Sequence, residues 1–215
     1  FRAVRERFPE ALLAVLVLCS PALAQRRPPQ GSSSAPSSTE DPPPPVPPQV
    51  ISRGENGRMV IRATRLSQPL RIDGRLDESV YADVPPITDF IQTVPAEGKP
   101  STERTEAWVM FDDNFFYVTG RMYEDVPPEE WTANELRRDT SQLRQNDMFG
   151  FLIDTFHDRR NGFNFYTNPL GGFADQIVTD EGNPNADWNP VWEVRPGRFD
   201  GGWTTEIAIP FKSIR

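Results

Sequence analysis

Cysteine, histidine and long apolar runs are scarce in this 215-residue sequence, which has one cysteine, Cys19, and one histidine, His157. A lone cysteine cannot close an intrachain disulfide. Cys19 also lies in an N-terminal apolar stretch expected to be removed, which takes thiol chemistry out of the mature chain. No zinc-ligand set, nucleophile elbow or phosphate loop occurs. Positive charge is short as well: 23 Lys and Arg stand against 31 Asp and Glu, a formal net charge of −8. Such a chain repels a phosphate backbone unless a local basic stripe exists, and Arg137-Arg138 and Arg159-Arg160 are only short pairs. Nucleic acid is therefore excluded as a partner. No internal repeat is present.

The two ends differ in composition and are read separately. Arg2, Arg5 and Arg7 form a basic region, residues 11–18 an apolar one, and Ala22-Leu23-Ala24 a small-x-small cleavage site before Gln25. This is the pattern of an export signal, and its apolar part is too short to span a bilayer as a helix. Leu18 stands where a lipoprotein signal carries a small residue, so Cys19 reads as an ordinary member of the apolar region. The expectation is a signal peptide over residues 1–24 and an exported chain, placed in the periplasm, the outer membrane or outside the cell. Residues 25–56 are rich in proline, serine and glutamine and lack the apolar side chains that offset ordering entropy. They predict a disordered, semi-rigid linker of polyproline II character. Residues 57–215 suffice for one domain with a sizeable core.

In that remainder the dominant period is two. Thr105, Ala107, Val109 and Phe111 alternate with Glu106, Trp108 and Met110; Asp112-Asp113-Asn114 then turns the chain into the aromatic-rich stretch 115–123, a hairpin. Further strands are expected over 59–65, 90–94, 148–154, 163–167, 174–179, 191–194 and 203–209. They are separated by Asn161-Gly162, Pro169 with Gly171-Gly172, Gly182-Asn183-Pro184 and Gly201-Gly202. Many short strands with frequent turns predict an all-β, antiparallel β-sandwich. Helix is minor: Asp77 is placed to cap a short turn through Tyr81, and residues 128–136 to form one exposed helix.

Four motifs occur in order: Ile72-Asp73-Gly74-Arg75-Leu76-Asp77-Glu78; Val109-Met110-Phe111-Asp112-Asp113-Asn114-Phe115-Phe116-Tyr117-Val118; Asn146-Asp147 leading to Phe151-Leu152-Ile153-Asp154; and Gly202-Trp203-Thr204-Thr205-Glu206-Ile207-Ala208-Ile209-Pro210-Phe211. Together they resemble family 9 carbohydrate-binding modules across residues 66–215. The variant most resembled stands at the N-terminus of bacterial cell-envelope proteins, ahead of a large β-rich C-terminal region. Phe156-His157-Asp158-Arg159-Arg160 and Asn168-Pro169-Leu170-Gly171 also match that variant. The resemblance implies a jelly-roll-like sandwich that binds glycans such as xylan or cellulose-derived oligosaccharides. It implies no catalysis by the module itself, which serves a larger polysaccharide-degrading or envelope protein and continues beyond Arg215. Sugar-binding members hold a terminal sugar between two tryptophans with polar helpers. On that pattern the first tryptophan position falls at Arg144, two helpers fall at Gly150 and Tyr166, and the second tryptophan falls beyond Arg215. A structural or interaction sandwich without sugar binding is the alternative, and a glycoside hydrolase activity in the same polypeptide a third.

Trp108 and Trp203 lie in alternating strand patterns and are expected in the core, whereas Trp188 sits in a polar loop. Aromatic faces cover apolar sugar patches, and guanidinium and planar amide groups orient hydroxyls. The candidate carbohydrate-binding residues are accordingly Arg144, Gln145, Asn146, Asp147, Asn168 and Trp188. Asp180, Glu181, Asn183, Asn185 and Asp187 supply closely spaced oxygens, but without EF-hand spacing. No cofactor is expected, with structural calcium the one ion that these loops suggest. Glycosidase chemistry needs two carboxylates about 5 to 9.5 Å apart. Asp154 and Asp158, which flank His157, read instead as strand-end and turn residues.

Overall fold

The computed structural model describes residues 41–54 and 58–214, so the signal peptide expected over 1–24 and the linker up to residue 40 lie outside the described residues. The strands are β1 (Ile51–Arg53), β2 (Met59–Ile61), β3 (Thr64–Arg65), β4 (Thr105–Phe111), β5 (Phe115–Tyr123), β6 (Phe149–Ile153), β7 (Gly162–Thr167), β8 (Phe173–Val178), β9 (Glu193–Phe199) and β10 (Gly202–Pro210). One helical turn, α1 (Val80–Asp83), and 3-10 turns at Pro128–Glu130, Ser141–Gln145 and Phe211–Ser213 are the only helical pieces among the described residues. The fold is an all-β sandwich. A five-stranded sheet in the order β3-β4-β5-β10-β9 faces a three-stranded sheet, β6-β7-β8, with a small ribbon, β1-β2, beside them. All pairings are antiparallel except β3 with β4.

Alternation decides the layers. Ala107, Val118, Met122, Trp203, Ile207 and Ile209 share the main core with Phe149, Phe151, Phe163 and Phe165 of the smaller sheet. A side chain on Gly120 would come within 2.9 Å of the Phe149 ring, so this glycine lets the two sheets close. The opposite set, Trp108, Met110, Tyr117 and Ala208, is also buried, beneath Leu66, Leu70, Ile72, Leu76 and Val80. The large sheet is therefore covered on both faces, and every residue of β10 from Gly202 to Ile209 is buried.

The strap over residues 66–84 is fastened by Glu206. Its Oε2 accepts the backbone N–H of Asp73 (2.9 Å) and of Gly74 (2.8 Å), and its Oε1 accepts the Tyr81 hydroxyl (3.0 Å). Gly74 has φ +83°, and a Cβ there would collide with the Pro196 carbonyl; one on Gly197 would collide with the Gly74 carbonyl. Thr204 Oγ1 donates to that same carbonyl at 2.6 Å. The Ile72-Asp73-Gly74 motif is thus a backbone-to-sheet clasp.

Several expected elements differ. The hairpin over 105–123 stands as read, with Asp112 Oδ1 accepting from Asn114 N (2.7 Å) and Phe115 N (2.8 Å) in its turn. Residues 59–65 split into β2 and β3, and β1 shows that ordered β structure begins by Ile51, not at residue 57. Residues 90–94 form no strand: only Ile91 bridges, to Pro100, and although Phe90 packs against the core, Ile91 and Val94 are 65 % and 73 % exposed. Residues 128–136 form only the 3-10 turn Pro128–Glu130, because Trp131 leaves helical conformation as its indole is buried and donates to Val126 O (3.1 Å). Asp77 does not cap α1; Ser79 occupies that position without a side-chain bond, and Asp77 pairs with Arg71 at 3.3 Å.

Candidate functional site

The smaller sheet turns Phe151, Phe163 and Phe165 inward, and by strict alternation presents Gly150, Leu152, Gly162, Asn164, Tyr166, Ala174, Gln176 and Val178 on its other face. The 3-10 turn Ser141–Gln145, whose preceding Thr140 Oγ1 accepts from Gln142 N (3.4 Å), lays Leu143 on Tyr166 and Ala174. One step further along that turn, Arg144 points outward over the sheet. Its Nε donates to the Tyr166 hydroxyl (3.4 Å), its Nη2 to Gln176 Oε1 (2.6 Å), and its guanidinium carbon lies 5.4 Å from the Tyr166 ring centroid. Asn164 Nδ2 also donates to Gln176 Oε1, at 3.4 Å. A guanidinium only donates, so the Gln176 oxygen must face Arg144 and its amide nitrogen must face away. Gly150 makes room beneath: a Cβ there would stand 2.9 Å from Tyr166 Cβ. Leu152, 57 % exposed, borders the group. The Tyr166 ring is only 3 % exposed and offers no stacking face.

The other residues singled out from the sequence lie elsewhere. Asn146 is buried; its Oδ1 accepts from Asn134 N (3.0 Å), Glu135 N (3.1 Å) and Asn168 Nδ2 (2.9 Å). Asn168, also buried, donates to Glu135 O (2.7 Å) and accepts from Leu170 N (3.1 Å) and Gly172 N (2.9 Å). Both amides are consumed in tying the 134–136 segment to the turn after β7, which leaves no group free for a ligand. Asp147 accepts from Thr132 N at 2.8 Å, and burial raises its carboxyl above the ordinary range. Burial, reinforced by Asp147, pushes neighbouring Glu124 up to about 7. Trp188 is half-buried, with its ring 4.8 Å from Phe163 and 5.7 Å from Phe165. Those phenylalanines face the core, so Trp188 is on the side of the sheet opposite Arg144 and anchors its loop. Of the six candidates, only Arg144, with the exposed Gln145 next to it, belongs to the outward face. Asn164 and Gln176 were missed, although the alternation with Phe163, Phe165 and Ile177 places them.

The acidic loops have internal tasks. Asp180 and Glu181 lie 3.2 and 3.6 Å from Arg160, and Asn185 Oδ1 accepts from Asp187 N (2.9 Å). Among the described residues, no group of three or more His, Cys, Asp or Glu is arranged to hold a metal ion. Asp154 accepts from the N–H of Phe156 and Arg159, and Asp158 from those of Arg160 and Asn161, so both carboxylates build the turn around His157.

No family model and no curated protein matches the chain. Among solved structures, it is similar to a family 9 carbohydrate-binding module from Caldicellulosiruptor kristjanssonii in complex with glucose. The TM-score is 0.49 at 19 % identity, covering 72 % of this chain and 70 % of that one. The same organism's module in complex with cellotriose scores 0.46 at 19 % identity, over 69 % and 66 % of the two chains. A Bacteroides uniformis protein assigned to carbohydrate binding scores 0.50 at 10 % identity, over 70 % and 72 %. The chain shares that β-sandwich fold. Within the sandwich, Arg144, Gly150 and Tyr166 lie together on the outward face of β6-β7-β8.

Proposed function

We propose that the chain is a non-catalytic glycan-binding module whose site is the outward face of β6-β7-β8. The observation that carries this reading is the convergence of Arg144, Gly150 and Tyr166, separated by up to 22 residues in sequence, on one sheet face beside Asn164 and Gln176. Fixed polar groups on a rigid sheet can orient hydroxyls, and the exposed Leu152 can cover an apolar sugar patch. The assignment of the Bacteroides protein of the same fold to carbohydrate binding supports the same class of ligand. Xylan- and cellulose-derived oligosaccharides are the first ligands to try. The export pattern of residues 1–24 and the proline-rich stretch after it support a tethered module of a larger envelope or polysaccharide-degrading protein.

A glycan array on the full chain, followed by calorimetry, is the test. Binding is expected to be lost in Leu152→Asp and Gln176→Ala and retained in Trp188→Phe. Loss only in the Trp188 variant moves the site to the core-side loop, and absence of binding to every glycan overturns the reading. A second reading, an interaction sandwich without sugar binding, is favoured by one observation: Arg144 replaces a platform aromatic, and the ring beneath it is covered.

A further inference from the structure

Resting on the glycan-binding reading, we propose that this face selects an anionic saccharide, one carrying a carboxylate or sulfate, with Arg144 and Gln176 as its receptors. On a protein of net charge −8, the outward strand positions of β6, β7 and β8 carry no carboxylate at all: glycine, leucine, asparagine, tyrosine, alanine, glutamine and valine occupy them. Arg144 brings a positive charge over this face. Among the described residues it makes no ion pair, and two hydrogen bonds and an aromatic ring fix it in place.

Several charges at the margins are already engaged. Asp154 caps the turn after β6, Arg160 pairs with Asp180 and Glu181, and Arg137 pairs with Glu135. Donor direction points the same way. Among the described residues Arg144 Nε and Nη2 have protein partners and Nη1 has none, and Gln176 has its oxygen taken by Arg144 and Asn164, which leaves its NH2 to donate elsewhere. Two adjacent donor groups, one of them cationic, match an anionic oxygen group and mismatch a hydroxyl that must also donate. The buried Tyr166 ring provides the surface on which the guanidinium rests, so a sugar meets a charge here where a stacking platform would present an aromatic face.

The experiment is calorimetry on the full chain with four ligands: a galacturonate trisaccharide, its methyl ester, a sulfated disaccharide and cellotriose, each at about 25 and 250 mM NaCl. At low salt an anionic ligand is expected to bind on the order of tenfold more tightly than cellotriose, with that advantage shrinking severalfold at high salt. Methyl esterification removes the charge while keeping the ring and is expected to erase the preference for the uronate. Arg144→Ala should lose it, with Arg144→Lys retaining part. Comparison of the uronate and sulfate arms tells which anion fits. Cellotriose binding as tightly as both anions, or a preference unchanged in Arg144→Ala, overturns this proposal and leaves glycan binding standing. Failure of all four ligands overturns this proposal, and absence of binding to every glycan of the array overturns the glycan-binding reading with it.

Discussion

Glu206 should make the protein less stable as pH rises from about 4.5 to 7. Its carboxyl is fully buried, and burial pushes it up to about 7; the N–H groups of Gly74 and Asp73 and the Tyr81 hydroxyl oppose that rise, while Glu78 adds to it. A carboxyl whose pKa is higher folded than unfolded holds its proton more tightly in the native state. Stability is therefore greatest below the unfolded value and declines until pH passes the folded one. With an unfolded value near 4.5, the difference corresponds to roughly 3 kcal/mol at 1.36 kcal/mol per pH unit. Glu206→Gln keeps an acceptor for the two backbone N–H groups and turns its NH2 to the Tyr81 oxygen, while removing the titration. Urea unfolding followed by tryptophan fluorescence at pH 5, 6 and 7.5 measures the effect. Wild type should lose stability across that range, and Glu206→Gln should lose markedly less, its residual slope coming from Glu124, which also titrates near 7. Equal slopes in the two proteins would refute the assignment of the titration to Glu206.

Two further stability predictions follow from packing. Trp203→Ala, 1 % exposed, should cost about 3 kcal/mol or more, and Trp188→Ala about 2 kcal/mol because its ring rests on Phe163 and Phe165. Urea unfolding checks both, and a Trp188→Ala change within about 0.5 kcal/mol of wild type would return that residue to the solvent-exposed class. Gly74→Ala places a side chain at φ +83° against the Pro196 carbonyl and should destabilise by more than about 2 kcal/mol; a neutral change would show that the clasp yields.

The sequence made the β4-β5 hairpin readable because both signals were local: alternation along each strand and an Asp-Asp-Asn turn between them. The strand expected over 191–194 overlaps only the first two residues of β9, which runs on through Pro196 and Gly197. Both are accommodated for reasons set by distant residues. Strand β9 is a sheet edge, where a missing N–H is tolerated, and Gly197 is needed where Gly74 crosses it. The site was half legible. Arg144 was found through a family pattern and Asn164 and Gln176 could have been found by alternation. Nothing local distinguishes Asn146 and Asn168, whose amides are spent inside the fold, from amides that face a ligand. Trp188 misled for the same reason: its polar neighbours describe the loop, while its partners Phe163 and Phe165 are more than twenty residues earlier.

The clasp between Asp73-Gly74 and Glu206 spans 132 residues. Synthesis proceeds from the N-terminus, so the strap with Leu66, Leu70, Ile72 and Leu76 is made well before β10, the strand that anchors it. Until then those side chains have only Trp108, Met110 and Tyr117 of the β4-β5 hairpin to cover, and the closure onto β10 is entropically costly because its contacts are so distant in sequence. The nascent domain therefore carries an apolar leading segment that lies unfastened until β10 is in place, which makes the strap a part in need of protection during biogenesis.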